Sequence, residues 1–156
     1  MKIKIIAISK NKFDYINAGE ADYLKRLKRY AEVDILNLKE EAITKNRNYD
    51  EIMELEGEKI LAKFQPDYYH IALHSLGVEK TSEQLANLLA EVRDFKGAKL
   101  CFIIGGPLGL SQKVLSKADL VLSFSRFTFT HQLIRLLLLE QIYRGFEILA
   151  GSEYHK

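Results

Sequence analysis

The run Leu100-Cys101-Phe102-Ile103-Ile104 sets five apolar residues side by side with no polar residue between them. A strand without polar alternation is buried on both faces, and its usual setting is the interior of a parallel sheet. Parallel neighbours need crossover connections, normally helices, and those helices must cover both sides of the sheet. The rest of the chain has to supply them. Periodicity predicts further strands at residues 2–9, 32–38, 69–73 and about 120–122. Between them it predicts helices at 14–30, 49–64, 81–95, a short one opening at Ser111, and a long one at 131–149. Strand and helix alternate throughout, so the expected class is α/β with a mostly parallel sheet.

At 156 residues the chain is sized for one core, and we expect one domain over 1–156. No repeat or linker interrupts it, and residues 39–48 form the expected mobile loop. The final helix is apolar on nearly every side, with Leu133, Ile134, Leu136 to Leu139, Ile142, Tyr143, Phe146 and Leu149. Such a helix is either unusually enclosed or part of a subunit interface.

Several classes are disfavoured. The first strand is followed by Ser9-Lys10-Asn11-Lys12, so no glycine fingerprint for a dinucleotide stands there, and no glycine-rich loop ending in Lys-Ser or Lys-Thr occurs for a nucleoside triphosphate. His70 and His74 have no Cys, Asp or Glu at ligand spacing, so no metal site is expected. The amino terminus lacks a secretion-signal pattern, and no apolar run approaches the roughly 20 residues of a membrane span. The one cysteine, Cys101, sits in the buried strand and is expected to pack there, which fits a reducing, cytoplasmic setting. A net charge of +2 makes no general case for nucleic acid, so an RNA footprint would be local, and Lys25, Arg26, Lys28 and Arg29 read as a solvated helix face.

Three stretches carry chemistry. Gly105-Gly106-Pro107-Leu108-Gly109 follows the buried strand at its carboxyl end, where open α/β sheets bind ligands and where glycine lets backbone approach closely. It is equally readable as a tight turn into a helix capped by Ser111. The segment Ser123-Phe124-Ser125-Arg126-Phe127-Thr128-Phe129-Thr130-His131-Gln132 mixes hydroxyls, aromatics and a cation before a helix amino terminus. It suits a purine-bearing ligand if the phenylalanines are not simply core. The tail Tyr154-His155-Lys156 is either frayed or docked, and if docked it offers stacking, proton transfer and phosphate contact.

Taken in order, the opening strand, Phe102 to Gly106, Thr128 to Gln132, Leu138 to Arg144 and the terminal Tyr154-His155-Lys156 resemble the ribosomal large-subunit methyltransferase H family. These are SPOUT-class 23S rRNA pseudouridine N3-methyltransferases, and the resemblance spans the whole chain. It departs at Thr130, where many members carry proline, and at Lys156, where many end in arginine. What it implies is a SPOUT-type α/β knot whose carboxy-terminal part is a trefoil, S-adenosylmethionine as cofactor, 23S rRNA on the assembled ribosome as substrate, and a homodimer. By motif match the cofactor contacts fall on Leu73, Gly105, Phe124, Ser125, Arg126, Phe127, Thr128 and Phe129.

A uracil-like N3 must lose a proton on methylation. His155 is the first candidate for handling it and His131 the second, with Tyr154 grouped beside them. Arg126, Arg135 and Lys156 are candidates for RNA contact. Another SPOUT enzyme acting on tRNA or on ribose hydroxyls, or a noncatalytic RNA-binding dimer, remains an alternative.

Overall fold

A computed structural model describes residues 1–45 and 47–154. Its elements are β1 (Lys2–Ile8), α1 (Asp14–Leu27), β2 (Glu32–Leu38), α2 (Tyr49–Leu61), β3 (Tyr69–Glu79), α3 (Ser82–Phe95), β4 (Lys99–Ile104), α4 (Gln112–Lys117), β5 (Leu120–Ser123) and α5 (His131–Leu149). The five strands form one sheet in the order β2-β1-β4-β3-β5, with every pairing parallel. The apolar run lies at the centre: β4 pairs with β1 on one side and β3 on the other, and Leu100 to Ile104 are all buried.

The strand alternation sends side chains to two cores. Ile3, Ile5, Ala7, Leu100, Phe102 and Ile104 meet α1, α3 and α5 through residues such as Leu27, Leu89, Leu138, Leu139 and Ile142. Ile6, Ile8, Cys101 and Ile103 face the other way, against Ile60 of α2 and Val114 of α4. Cys101 belongs to this second core, and burial pushes its thiol up to about 12, so it stays protonated and inert. Among the described residues, no helix is long and apolar enough to cross a membrane.

Helix α5 lies between α1 and α3. Gly19 of α1 sits directly under Leu136, and Gly145 of α5 under Leu89, so the missing Cβ atoms let the three helices approach closely. Every apolar side chain of α5 is buried or half-buried within the single chain. The helix ends are tightened relative to the periodicity. Helix α1 stops at Leu27, and Tyr30 and Ala31 close a turn on its carbonyl, while α2 stops at Leu61 and shorter turns carry the chain to Phe64. Helix α3 opens with a reciprocal capping box between Thr81 and Gln84, as Thr81 followed by Gln84 predicts.

Strand β3 departs most from the prediction. It continues to Glu79, but Leu73 and Val78 both register against Leu122, so residues 74–77 leave the ladder as a bulge. Gly77 closes it, since a Cβ there would stand 2.7 Å from the Leu122 and Val121 backbone. The loop after β2, expected to be mobile, is tied to α2. Lys59 reaches the Lys39 carbonyl and Glu41, Arg47 pairs with Glu41, and the Glu41 amide donates to Glu56. Both cations hold the Glu41 carboxyl down at about 2.

Candidate functional site

The carboxyl ends of β3, β4 and β5 open into a cleft of about 610 Å³. Its floor is the glycine turn. Gly109 has φ +93° and donates its amide to the Gly106 carbonyl at 3.0 Å, and the two residues form an isolated bridge. A Cβ on Gly105 would stand 2.5 Å from the Gly109 carbonyl oxygen, so glycine is required there by the turn itself. Ser111 takes the N-cap position of α4, yet its hydroxyl makes no capping bond and lies buried without a partner. The capping role expected of that side chain is therefore not observed.

The opposite wall is the segment from Ser123 to Gln132. The Ser123 hydroxyl donates to the Ser125 carbonyl at 3.1 Å, and the Phe127 amide donates to the Ser125 hydroxyl at 3.0 Å, which fixes the loop's curl. Phe124 packs against the core, but Phe127 is 80% exposed and Phe129 41%, so a purely structural role does not account for them. Thr130, standing where the resembled family has proline, accepts the Leu133 amide at 3.3 Å and caps α5. The Gln132 side chain accepts the Lys12 amide at 3.1 Å and so draws the loop after β1, with Phe13, to the rim.

Of the residues expected to contact a cofactor, Leu73, Gly105, Phe124, Ser125, Phe127, Thr128 and Phe129 all line this cleft. Arg126 does not line it: its side chain is 91% exposed and turned toward Glu79 at 3.6 Å, which leaves it open to solvent and to a large partner. His74 and Ser75, absent from the sequence prediction, join the wall because the β3 bulge swings them inward. Strand periodicity ended at Leu73, and an insertion in the ladder leaves no alternation to read. Among the described lining residues His74 and His131 carry the only titratable side chains. The His74 Nδ1 accepts the Leu76 amide at 3.2 Å.

His131 opens α5, with its Nε2 buried and unpartnered. Burial lowers its pKa, opposed by Glu40 and assisted by Lys12 and Arg135, so the imidazole is neutral at neutral pH and able to accept a proton. Arg135 corrects an expectation. It is buried, with a two-pronged bond to Glu20 of α1 at 2.5 and 2.9 Å and a third to Asn37, so its guanidinium is consumed inside the fold and is not presented to RNA. The arrangement is forced by burial: a charge that far from water needs a full complement of partners.

Tyr154 lies away from the cleft. Its ring meets Tyr143 edge-on at 5.0 Å, Arg144 covers its face, and its hydroxyl donates to Glu140 at 3.3 Å, all on the carboxy-terminal half of α5. Tyr154 is thereby docked, and burial pushes its phenol further up, so it is no proton acceptor for this cleft. His155 and Lys156 lie outside the described residues. Just past the end of α1, Arg29 is more than a solvated cation, since it joins the Glu147 carboxylate and Tyr143 of α5, whereas Arg26 on α1 pairs with Asp22. Among the described residues no three His, Cys, Asp or Glu side chains form a group able to hold a metal.

With this geometry in view, comparison with known proteins is specific. Residues 1–155 match the family described as "Predicted SPOUT methyltransferase". Proteins named ribosomal RNA large subunit methyltransferase H from Halothermothrix orenii and Bacillus pumilus are 48% and 46% identical to this chain, each over the full length of both proteins. The solved structure of a probable methylase family protein from Haemophilus influenzae Rd KW20 aligns with TM-score 0.57 at 14% identity, over 99% of this chain and 70% of that one, and so shares the fold. The chain belongs to the SPOUT methyltransferases, within the ribosomal RNA large subunit methyltransferase H family.

Proposed function

We infer that the chain is an S-adenosylmethionine-dependent methyltransferase acting on N3 of a pseudouridine in 23S rRNA, on the assembled ribosome and as a homodimer, with its single domain threaded as the family's trefoil knot. The observation that carries the reading is the cleft itself: a side-chain-free glycine turn facing an aromatic and hydroxyl loop at the carboxyl ends of three parallel strands. Its size and lining fit the cofactor. Leu73, Phe124, Phe127 and Phe129 offer apolar surface to a purine, Ser125 and Thr128 offer hydroxyls, and Gly105 to Gly109 offer main chain at close range.

S-adenosylmethionine, when bound, supplies an electrophilic methyl group on sulfur, and in-line displacement needs no metal. The protein's share is alignment and proton handling. We assign the second to His131, whose imidazole lines the cleft and is disfavoured as a cation by burial: it would take the N3 proton as the N3–methyl bond forms and the sulfur–methyl bond breaks, and Glu40 would offset the resulting imidazolium. His155 of the tail is the other acceptor. Tyr154 itself packs on the carboxy-terminal half of α5, away from its own cleft, and in this reading the tail serves the cleft of the second subunit. Exposed Arg126 is the described cation best placed to meet RNA phosphate, with Lys156 joining it in the tail.

The experiment is methyl transfer from labelled S-adenosylmethionine to ribosomes, free 23S rRNA and tRNA from unmodified cells, with the product nucleoside identified by mass spectrometry. N3-methylpseudouridine in 23S rRNA is expected. Methylated tRNA or ribose would redirect the substrate, and absence of cofactor binding in calorimetry would leave an RNA-binding dimer.

A further inference from the structure

The cleft has a second layer behind the glycine turn. Glu56, in the middle of α2, is 3% exposed, and one of its carboxyl oxygens accepts the Glu41 amide at 2.9 Å. The other, Oε2, is buried with no hydrogen-bond partner. That oxygen lies against Gly106: a Cβ added to Gly106 would meet it at 2.8 Å and the Ile8 side chain at 3.1 Å. The next residue, Gly57, abuts the Ser111 side chain at the far end of the same turn. Two consecutive residues of α2 therefore support both ends of the segment that floors the cleft.

We propose that Glu56 is a positioning residue of the cofactor site: its buried carboxyl packs against the main chain at Gly106, and a charge developing there loosens the turn and weakens cofactor binding. The cofactor half of this statement rests on the function inferred above. The charge state follows from what surrounds the group. A buried carboxylate calls for several donors, and Glu56 receives one. From the loop after β2, Glu40 and Glu41 face it with like charge. Lys59 of its own helix is engaged by Glu41 and the Lys39 carbonyl. Lys113 of α4 is taken up by Glu54, and at Gly106 β1 contributes the apolar Ile8 side chain. Burial accordingly pushes the Glu56 carboxyl up, ahead of the lowering by the Glu41 amide and Lys59. With the folded pKa raised, the local structure is favoured while the group stays protonated and loses support as pH climbs through that value.

Three measurements on the full chain test this. Carboxyl carbon-13 shifts should show Glu56 still protonated well above the ordinary carboxylate range. Amide exchange of residues 105–110, corrected for its intrinsic pH dependence, should accelerate as pH rises from 4.5 to 8 in the wild type and not in Glu56→Gln. S-adenosylmethionine affinity should fall about tenfold over that range in the wild type, while Glu56→Gln keeps the wild type's low-pH affinity within about threefold and shows no loss as pH rises. A merely structural glutamate would give parallel pH profiles in the two proteins, and that result overturns the proposal, as does a Glu56 carboxyl that titrates at the ordinary 4.5. Should the wild type bind no S-adenosylmethionine, the functional inference fails, and the exchange and carbon-13 data still decide the role of Glu56. Those two measurements on the wild type also stand if Glu56→Gln folds poorly.

Discussion

A single absent methyl group shapes the floor of the cleft. Any side chain on Gly105 collides first with the Gly109 carbonyl, before it could reach a ligand. Gly105→Ala should therefore distort the turn, costing about 1–3 kcal/mol of stability and reducing cofactor affinity by at least about tenfold. Thermal melts and calorimetry measure both, and unchanged affinity would mean that the turn does not touch the cofactor. Protonation is decided at the same scale. His70, stacked on Phe64 at 4.0 Å with its Nε2 unpartnered, has a pKa lowered mainly by burial, as has His131. Below the ordinary histidine value of 6.5 the unfolded chain takes up protons that these folded histidines resist. Stability should thus be flat in these groups above about pH 7.5 and fall on acidification through 6.5. The melting temperature of His70→Gln should drop less between pH 7.5 and 5.5 than that of the wild type, and equal slopes would refute this account.

Between elements, the strongest constraint is the Arg135–Glu20–Asn37 cluster, which ties α5, α1 and β2 together next to His131. Removing one partner strands a buried charge. Arg135→Ala should destabilise the fold by about 3–5 kcal/mol, and Arg135→Met combined with Glu20→Leu should recover much of that. Urea denaturation of the single and double variants checks it, and additive losses would show that the pair is not coupled. The β3 bulge works at this scale as well. It adds His74 and Ser75 to the wall and leaves Leu76 at its apex 89% exposed.

For the whole molecule, the open question is what meets the remaining apolar surface. Leu138 and Ile142 are 0% exposed in the single chain, so a charge placed there should unfold the protein and reports nothing about subunits. The exposed large apolar side chains include Phe13, Leu76, Phe127 and Phe129, gathered about the cleft and the bulge beside it. Light scattering at micromolar concentration should give a dimer. Deleting residues 154–156 should leave the dimer and cofactor affinity within about twofold while methyl transfer falls by about 100-fold or more, as expected if the tail acts on transfer and not on cofactor binding. Full activity in the deletion would reduce the tail to a packing element.

The order of strands and helices was legible because burial writes itself into composition. Leu100 to Ile104 announced a strand covered on both faces, and Thr81 with Gln84 announced a helix start, since each depends on residues near in sequence. The glycine turn and the phenylalanine loop were legible as candidate walls for the same reason. What tertiary structure alone decided depends on partners far along the chain. Arg135 reads as a surface cation until Glu20, 115 residues away, is found beside it. Glu56 reads as one polar residue on a surface helix until the turn after β4 closes over it. His74 reads as the residue after a strand's end until a bulge, held by pairing with β5, turns it into the cleft. Local periodicity records which face of an element is covered, but the charge state and direction of a polar side chain depend on what covers it, and the fold alone supplies that.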